Sequence, residues 1–171
     1  MSQSSPELPL ESRGFRLQDL TSIPPKERQA LVQRVSKIER KSFPSSEAFD
    51  FDTELKKKNI NLILALKELN GNDDLQLVGY LVYIRMKRLA LLHKICVVEH
   101  ERRKGIGKSL IHSLVLRLKK GGCRSIHLWV DEGRDQARAL YKSFEFQQMD
   151  RCADYYGPGR TGLRMQLIIE N

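Results

Sequence analysis

The sequence predicts one mixed α/β domain, and three observations carry that prediction. Strand-like and helix-like apolar periods alternate along the chain with no repeat and no internal linker. Several strand-like runs are apolar throughout, as strands covered on both faces are. The length of 171 residues, with 40% hydrophobic residues, suits a single domain with a real core.

Residues 14–20 (GFRLQDL) alternate weakly and read as a first strand. Ser22 is suited to cap a helix that has Pro24 or Pro25 in its first turn. Leu31, Val35 and Ile38 then follow at steps of four and three. This helix stops near Phe43-Pro44, because a residue before proline disfavours the helical region. A loop over 45–49 leads to a short charged helix over 52–58. Three strands follow, over 60–68, 75–86 and 89–98, the first two joined by an Asn/Gly/Asp turn at 70–74.

The clearest helix spans 105–120. Ile106, Leu110, Leu114 and Leu118 form one stripe, flanked by Ile111 and Val115. It ends at Gly121-Gly122 with Lys119 and Lys120 in the last turn, where the helix dipole favours cations. A strand over 123–130, a helix over 134–144 and a strand over 146–154 come next. The Tyr155-Tyr156-Gly157-Pro158-Gly159 loop and a last strand over 161–169 complete the chain.

No run approaches the roughly 18 apolar residues of a membrane span. The start lacks a basic region followed by an apolar stretch, so residues 1–12 are expected to be a disordered tail rather than a leader. Cys96, Cys123 and Cys152 are odd in number and not spaced as metal ligands, so no metal site is expected. Reduced cysteines point to a cytoplasmic protein, with the nucleus also open. Oligomeric state is open between monomer and homodimer.

The formal net charge is +9. From residue 85 to 124 the chain carries twelve Lys or Arg and only two acids, Glu99 and Glu101. Within that stretch lies Arg102-Arg103-Lys104-Gly105-Ile106-Gly107-Lys108, a basic turn at a strand-to-helix junction. A helix start leaves N–H groups unpaired and carries partial positive charge, so the turn reads as a pyrophosphate cradle. Gly105 and Gly107 remove side chains that would hold a phosphate off the backbone. A small polyanion therefore accounts for the charge as well as nucleic acid does. Nucleic acid is not expected as a partner, and the lack of exposed aromatics interleaved with the basic residues argues against single strands in particular.

The strand Ile95-Cys96-Val97-Val98, this turn and the helix behind it resemble the Q/R-x-x-G-x-G/A motif of the GNAT acetyltransferases. Arg134-Asp135-Gln136-Ala137-Arg138-Ala139-Leu140-Tyr141 is similar to the N-x-x-A-x-x-L-Y helix of the same family. The resemblance implies the GNAT fold over 13–171: a single mixed, mostly antiparallel sheet of about seven strands flanked by four helices. It also implies acetyl-CoA as cofactor and an amine as acceptor. Backbone N–H groups over 103–108 would bind the pyrophosphate, with Arg102 and Lys108 on phosphate oxygens. The edge formed by Ile95, Cys96 and Val97 would pair with pantetheine as an added strand.

Tyr141 falls where the family's phenol serves the departing thiolate, although an aromatic there also anchors a helix to the core. His93 has two readings, a general base or a histidine hydrogen-bonded in the sheet. It is expected on the same strand face as Leu91 and Ile95. No cysteine sits beside a base, so direct attack by the amine is expected.

The loop around Phe43-Pro44 resembles the first-helix loop of ribosomal-protein and protein N-terminal acetyltransferases. Arg151 to Tyr156, with Met165 and Leu167, is similar to their R-x-x-x-Y-Y…M-x-L ending. That likeness implies a peptide N-terminus as acceptor, held by Tyr155 or Tyr156 and walled by Phe43 and Pro44. A small amine, a polyamine or a lysine side chain is the alternative, and a non-catalytic CoA- or nucleic-acid-binding module is the reading from another class. Three positions depart from the family pattern. Arg134 stands for the Asn that bonds the pantetheine arm, Glu145 for a glycine before Phe146, and Trp129 for a catalytic Glu or His.

Overall fold

The computed structural model describes residues 13–69 and 74–169. Strands β1 (Phe15–Asp19), β2 (Ile60–Glu68), β3 (Leu75–Arg85) and β4 (Leu89–Val97) form an antiparallel meander. β5 (Ser125–Asp131) pairs parallel with β4, and β7 (Arg160–Ile168) lies between β5 and the edge strand β6 (Gln147–Gly157). The result is one seven-stranded sheet in the order β1-β2-β3-β4-β5-β7-β6. A parallel neighbour requires a crossover, and helix α3 (Ile106–Lys120) supplies it.

Helix α1 (Pro25–Ser42) and the single turn α2 (Phe51–Glu54) cover one face of the sheet. Helix α3 and helix α4 (Asp135–Ser143) cover the other. β2 shows why its sequence is apolar throughout. Leu62, Leu64 and Leu66 pack with Val35 and Phe51 on the α1 side. Ile63 and Ala65 pack with Leu110, Ile111, Leu114 and Leu118 on the α3 side. No helix among the described residues is long and apolar enough to cross a membrane.

Three expected boundaries are corrected. Ser22 does not cap α1; it lies in a 3-10 turn, its hydroxyl donating to the Asp19 carbonyl at 2.7 Å. Pro24 and Pro25 lack N–H groups, so the first turn of α1 has less to cap, and no side chain does so. The short helix starts earlier and ends sooner than 52–58. Asp50 accepts the Thr53 N–H at 3.3 Å and its hydroxyl at 2.7 Å, and the helix ends before Lys56. Tyr155 and Tyr156 belong to β6 rather than to a loop. The ladder breaks between Cys152 and Gly157. Asp154 has φ 58° and accepts the Gly159 N–H at 2.7 Å, which folds the extra residues into a bulge. The turn expected at 70–74 and the tail at 1–12 lie, save for Asp74, outside the described residues.

The turn before α3 is fixed from below by Glu101, whose carboxylate is buried. Lys67 from β2 and Lys104 from the turn each donate to it at 2.7 Å. Burial alone would raise the Glu101 pKa. The hydrogen bonds from Lys104 and Lys67 outweigh it and hold the group below its ordinary 4.5.

A folded-state pKa below the unfolded value stabilises the fold above the ordinary pKa, and the gain is lost as pH falls through the lowered one. Glu101→Gln is therefore expected to cost about 1–2 kcal/mol at neutral pH. It should also flatten the loss of stability below pH 4.5, as measured by urea unfolding across pH. At Glu145 the backbone is left-handed, φ 68°, a region that favours glycine. Glu145→Gly should stabilise the protein by about 0.5–1 kcal/mol, read as a rise in Tm.

Candidate active site

The parallel ladder between β4 and β5 is only three pairs long, from Leu89↔Ser125 to Leu91↔His127. Beyond it the strands diverge, though each continues to Val97 and Asp131 respectively. β4 bends where His93 is inserted, since Tyr83 pairs with Leu92 while the next residue, Val82, pairs with Lys94. The Val98 N–H donates to the Val78 carbonyl at 2.9 Å. By the two-residue period of the ladder, Cys96 also turns its backbone toward β3, while Ile95 and Val97 turn theirs into the gap. Of the three strand residues expected to meet pantetheine, Ile95 and Val97 thus present an edge and Cys96 does not. The Val97 carbonyl is already taken by Arg102 Nε at 3.0 Å.

The glycine turn closes one end of this gap. Arg103 (φ 64°) and Gly105 (φ 82°) are left-handed, and α3 then begins without a side-chain cap. The first N–H groups of the helix are thus directed at the turn, as an anion requires. Gly107 has a second job. A Cβ there would lie 3.3 Å from Leu140, so its missing side chain lets α4 pack against the start of α3. Among the basic side chains, Lys104 is held by Glu101 and Arg102 by Val97, while Arg103 and Lys108 are exposed. The uncapped helix start, the two left-handed residues and the open strand edge fit a pyrophosphate followed by an extended amide arm.

Tyr141, on α4, is 5% exposed and packs against Phe146 at 5.7 Å between ring centroids. Burial raises its pKa above the ordinary 10, with the Arg134 charge acting the other way, so the phenol keeps its proton at neutral pH. Tyr156 is pushed up to about 12, chiefly by burial, then by Tyr155 and Asp131. Arg134 joins these groups. Its guanidinium lies 5.0 Å from the centre of the Phe43 ring and its charge acts on both tyrosines. Tyr155 stacks on Trp129 at 4.1 Å, the close approach made possible by Gly162, and lies further out. Pro44 is exposed beside Phe43.

The bulge puts His93 on the α1 side of the sheet with Lys94, not on the face of Ile95, which packs toward α3. An alternating strand would have kept His93 and Ile95 together; one inserted residue separates them. The His93 ring is 5.0 Å from Phe49. Part of it reaches solvent, yet desolvation first and the Lys94 ammonium second lower its pKa below 6.5.

Sequence reasoning missed a polar network behind this wall. Glu39 of α1 is fully buried and accepts from the Tyr80 hydroxyl, from Lys94 Nζ and, at 2.9 Å, from the Phe49 N–H. Lys94 also donates to the Glu47 carbonyl and sits 3.9 Å from the Phe43 ring centre. Arg160 then ties the Glu47 carboxylate to Asp131, 2.9 Å away at the end of β5. One signal was available: Glu39 falls four residues after Val35, on the apolar stripe of α1, where a charge needs partners.

The basic residues do not all surround the glycine turn. α3 is about 22 Å long at 1.5 Å per residue. Seven of the twelve between 85 and 124 lie at its far end, at Arg85, Lys87, Arg88, Arg117, Lys119, Lys120 and Arg124.

Comparison with known proteins sets this geometry in a family. Ribosomal-protein-S18-alanine N-acetyltransferase from Escherichia coli has a similar structure, with TM-score 0.72 and 19% identity over 92% of this chain and 95% of that one. Arabidopsis thaliana NAA60, solved with a bisubstrate analogue, gives TM-score 0.72 and 21% identity over 91% and 98%. The spermidine/spermine N-acetyltransferase SpeG from Vibrio cholerae gives 0.67 and 13% over 91% and 93%. Among curated proteins none matches. The model of the acetyltransferase (GNAT) family matches residues 30–146, and the chain belongs to that family of acetyl-CoA-dependent N-acetyltransferases.

Proposed function

We propose that the acceptor is the N-terminal amine of a peptide, acetylated by direct attack. The observation that carries this reading is the convergence on Arg134. Phe43 from the loop after α1 lies against the Arg134 guanidinium, whose charge also reaches Tyr141 of α4 and Tyr156 of β6, and the Tyr156 ring lies 5.3 Å from Arg160, which binds Glu47 and Asp131. Two walls contributed by separate segments suit the end of a chain, and a neutral Tyr156 hydroxyl suits its backbone carbonyl. The similar structures include enzymes for a ribosomal-protein alanine and for polyamines, so likeness alone does not choose between acceptors.

Acetyl-CoA supplies an activated thioester carbonyl. The residues around it would divide the remaining work. His93 is neutral at neutral pH and accepts a proton from the incoming ammonium, directly or through water. The Val97 N–H, turned into the gap, donates to the carbonyl oxygen. Tyr141 keeps its proton and delivers it to the departing sulphur.

Tyr141→Phe should lower kcat about a hundredfold with little change in acetyl-CoA Kd measured by calorimetry. The acidic limb of the wild-type pH–rate profile should have its midpoint below 6.5, because desolvation and the Lys94 ammonium lower the His93 pKa from that ordinary value. His93→Ala should remove the acidic limb of that profile. Acetyl transfer to free-N-terminus peptides should exceed transfer to N-blocked lysine peptides and to spermidine. A preference for either of the latter would overturn the acceptor assignment.

A further inference from the structure

The end of the sheet opposite the glycine turn carries a cation patch that cofactor binding does not use. It is built from three adjoining pieces of chain. The β3–β4 hairpin brings Arg85, Lys87 and Arg88, closed by the Met86 N–H on the Leu89 carbonyl at 2.9 Å. The last turn of α3 brings Arg117, Lys119 and Lys120. Arg124 follows directly, its N–H donating to the Arg88 carbonyl at 2.7 Å.

The pieces are fixed to one another. Arg85 donates to the Gly121 carbonyl, and a Cβ at Gly121 would collide with its guanidinium. Of the acids that face the patch, Asp19 of β1 binds Arg117 at 3.0 Å. The two acids of the 85–124 stretch, Glu99 and Glu101, sit at the other end of α3. Lys87, Arg88, Lys119, Lys120 and Arg124 are exposed. Among the described residues the patch holds more cations than acids, and clustered, fixed cations of this kind raise the local potential and recruit polyanions.

We propose that this face binds the phosphate backbone of a nucleic acid duplex. The guanidinium groups of Arg88 and Arg124, both exposed, match phosphate oxygens with a two-pronged donor geometry, while Arg85 and Arg117 are already held by Gly121 and Asp19. Neither 85–88 nor 116–124 contains an aromatic residue on which unpaired bases would stack, so a duplex is favoured over a single strand. Only Met86 and Leu116 are large exposed apolar side chains in these segments, too little for the second, inserted signal that stable membrane anchoring takes. The duplex would be held by its phosphates alone, with no preference for sequence.

The test is fluorescence anisotropy with a short labelled RNA duplex over a range of salt. The full chain is compared with the triple variant Lys87→Glu, Arg88→Glu, Lys120→Glu, whose side chains take no part in the hydrogen bonds that fix the patch. The wild type should bind at low salt with a steep dependence on ionic strength. The variant should bind at least about tenfold more weakly, with its log–log salt slope smaller by about 3, near 0.9 for each phosphate no longer neutralised. Its Tm and acetyl-CoA affinity should stay unchanged, and saturating acetyl-CoA should not displace the duplex. The proposal is overturned if the wild type fails to bind the duplex at low salt, or if the variant binds as well. Tighter binding to phosphatidylserine vesicles or to the single strand, or displacement by acetyl-CoA, overturns it equally.

Discussion

The inserted residue at His93 is the constraint from which the site's geometry follows. A parallel pair of strands would ordinarily continue its ladder, and β4 and β5 have the length to do so. The bulge bends β4 after three pairs, and the strands separate. Separation leaves Ile95 and Val97 with backbone groups turned into a gap inside the sheet, where they would otherwise be spent on a neighbour. The same insertion puts His93 and Lys94 side by side on the α1 face. One extra residue thus opens the cleft, exposes its edge and puts two titratable groups together on its α1 side.

The α1 side of the cleft depends on charges that hold loops to strands. A fully buried carboxylate is expensive unless its oxygens are bonded, and Glu39 uses a phenol, an ammonium and a backbone N–H. Lys94 carries that network to the Glu47 carbonyl, and Arg160 carries it from the Glu47 side chain to Asp131. The loop after α1 is therefore tied to β4, β5 and β7 at once. Phe43 gains its position from this bracing, with Lys94 and Arg134 against its ring.

Local patterns foretold the elements, and pairings distant in sequence determined most of the site. The α3 stripe, its glycine end and the two apolar strands β2 and β3 were readable because each follows from one periodicity. The helix cap, the length of α2 and the extent of β6 were not, because proline, Asp50 and the Asp154 bulge act through hydrogen-bond geometry that composition does not reveal. The anion turn was readable from its glycines, but the task of Gly107 in admitting Leu140 depends on α4. Charge counting found the positive excess but not its spread, since the length of α3, about 22 Å, separates the glycine turn from Lys119 and Lys120. Arg160, Glu47 and Asp131 left no local signal, as their partners lie up to 113 residues apart.

Residue-resolved amide hydrogen exchange, with and without saturating acetyl-CoA, tests the central claim most directly. If the gap edge receives the cofactor arm, exchange should slow at Ile95 and Val97 and at the first N–H groups of α3. Cys96 and Val98, already bonded to β3, should not change. Unaltered exchange at Ile95 and Val97 in the saturated protein would contradict the account.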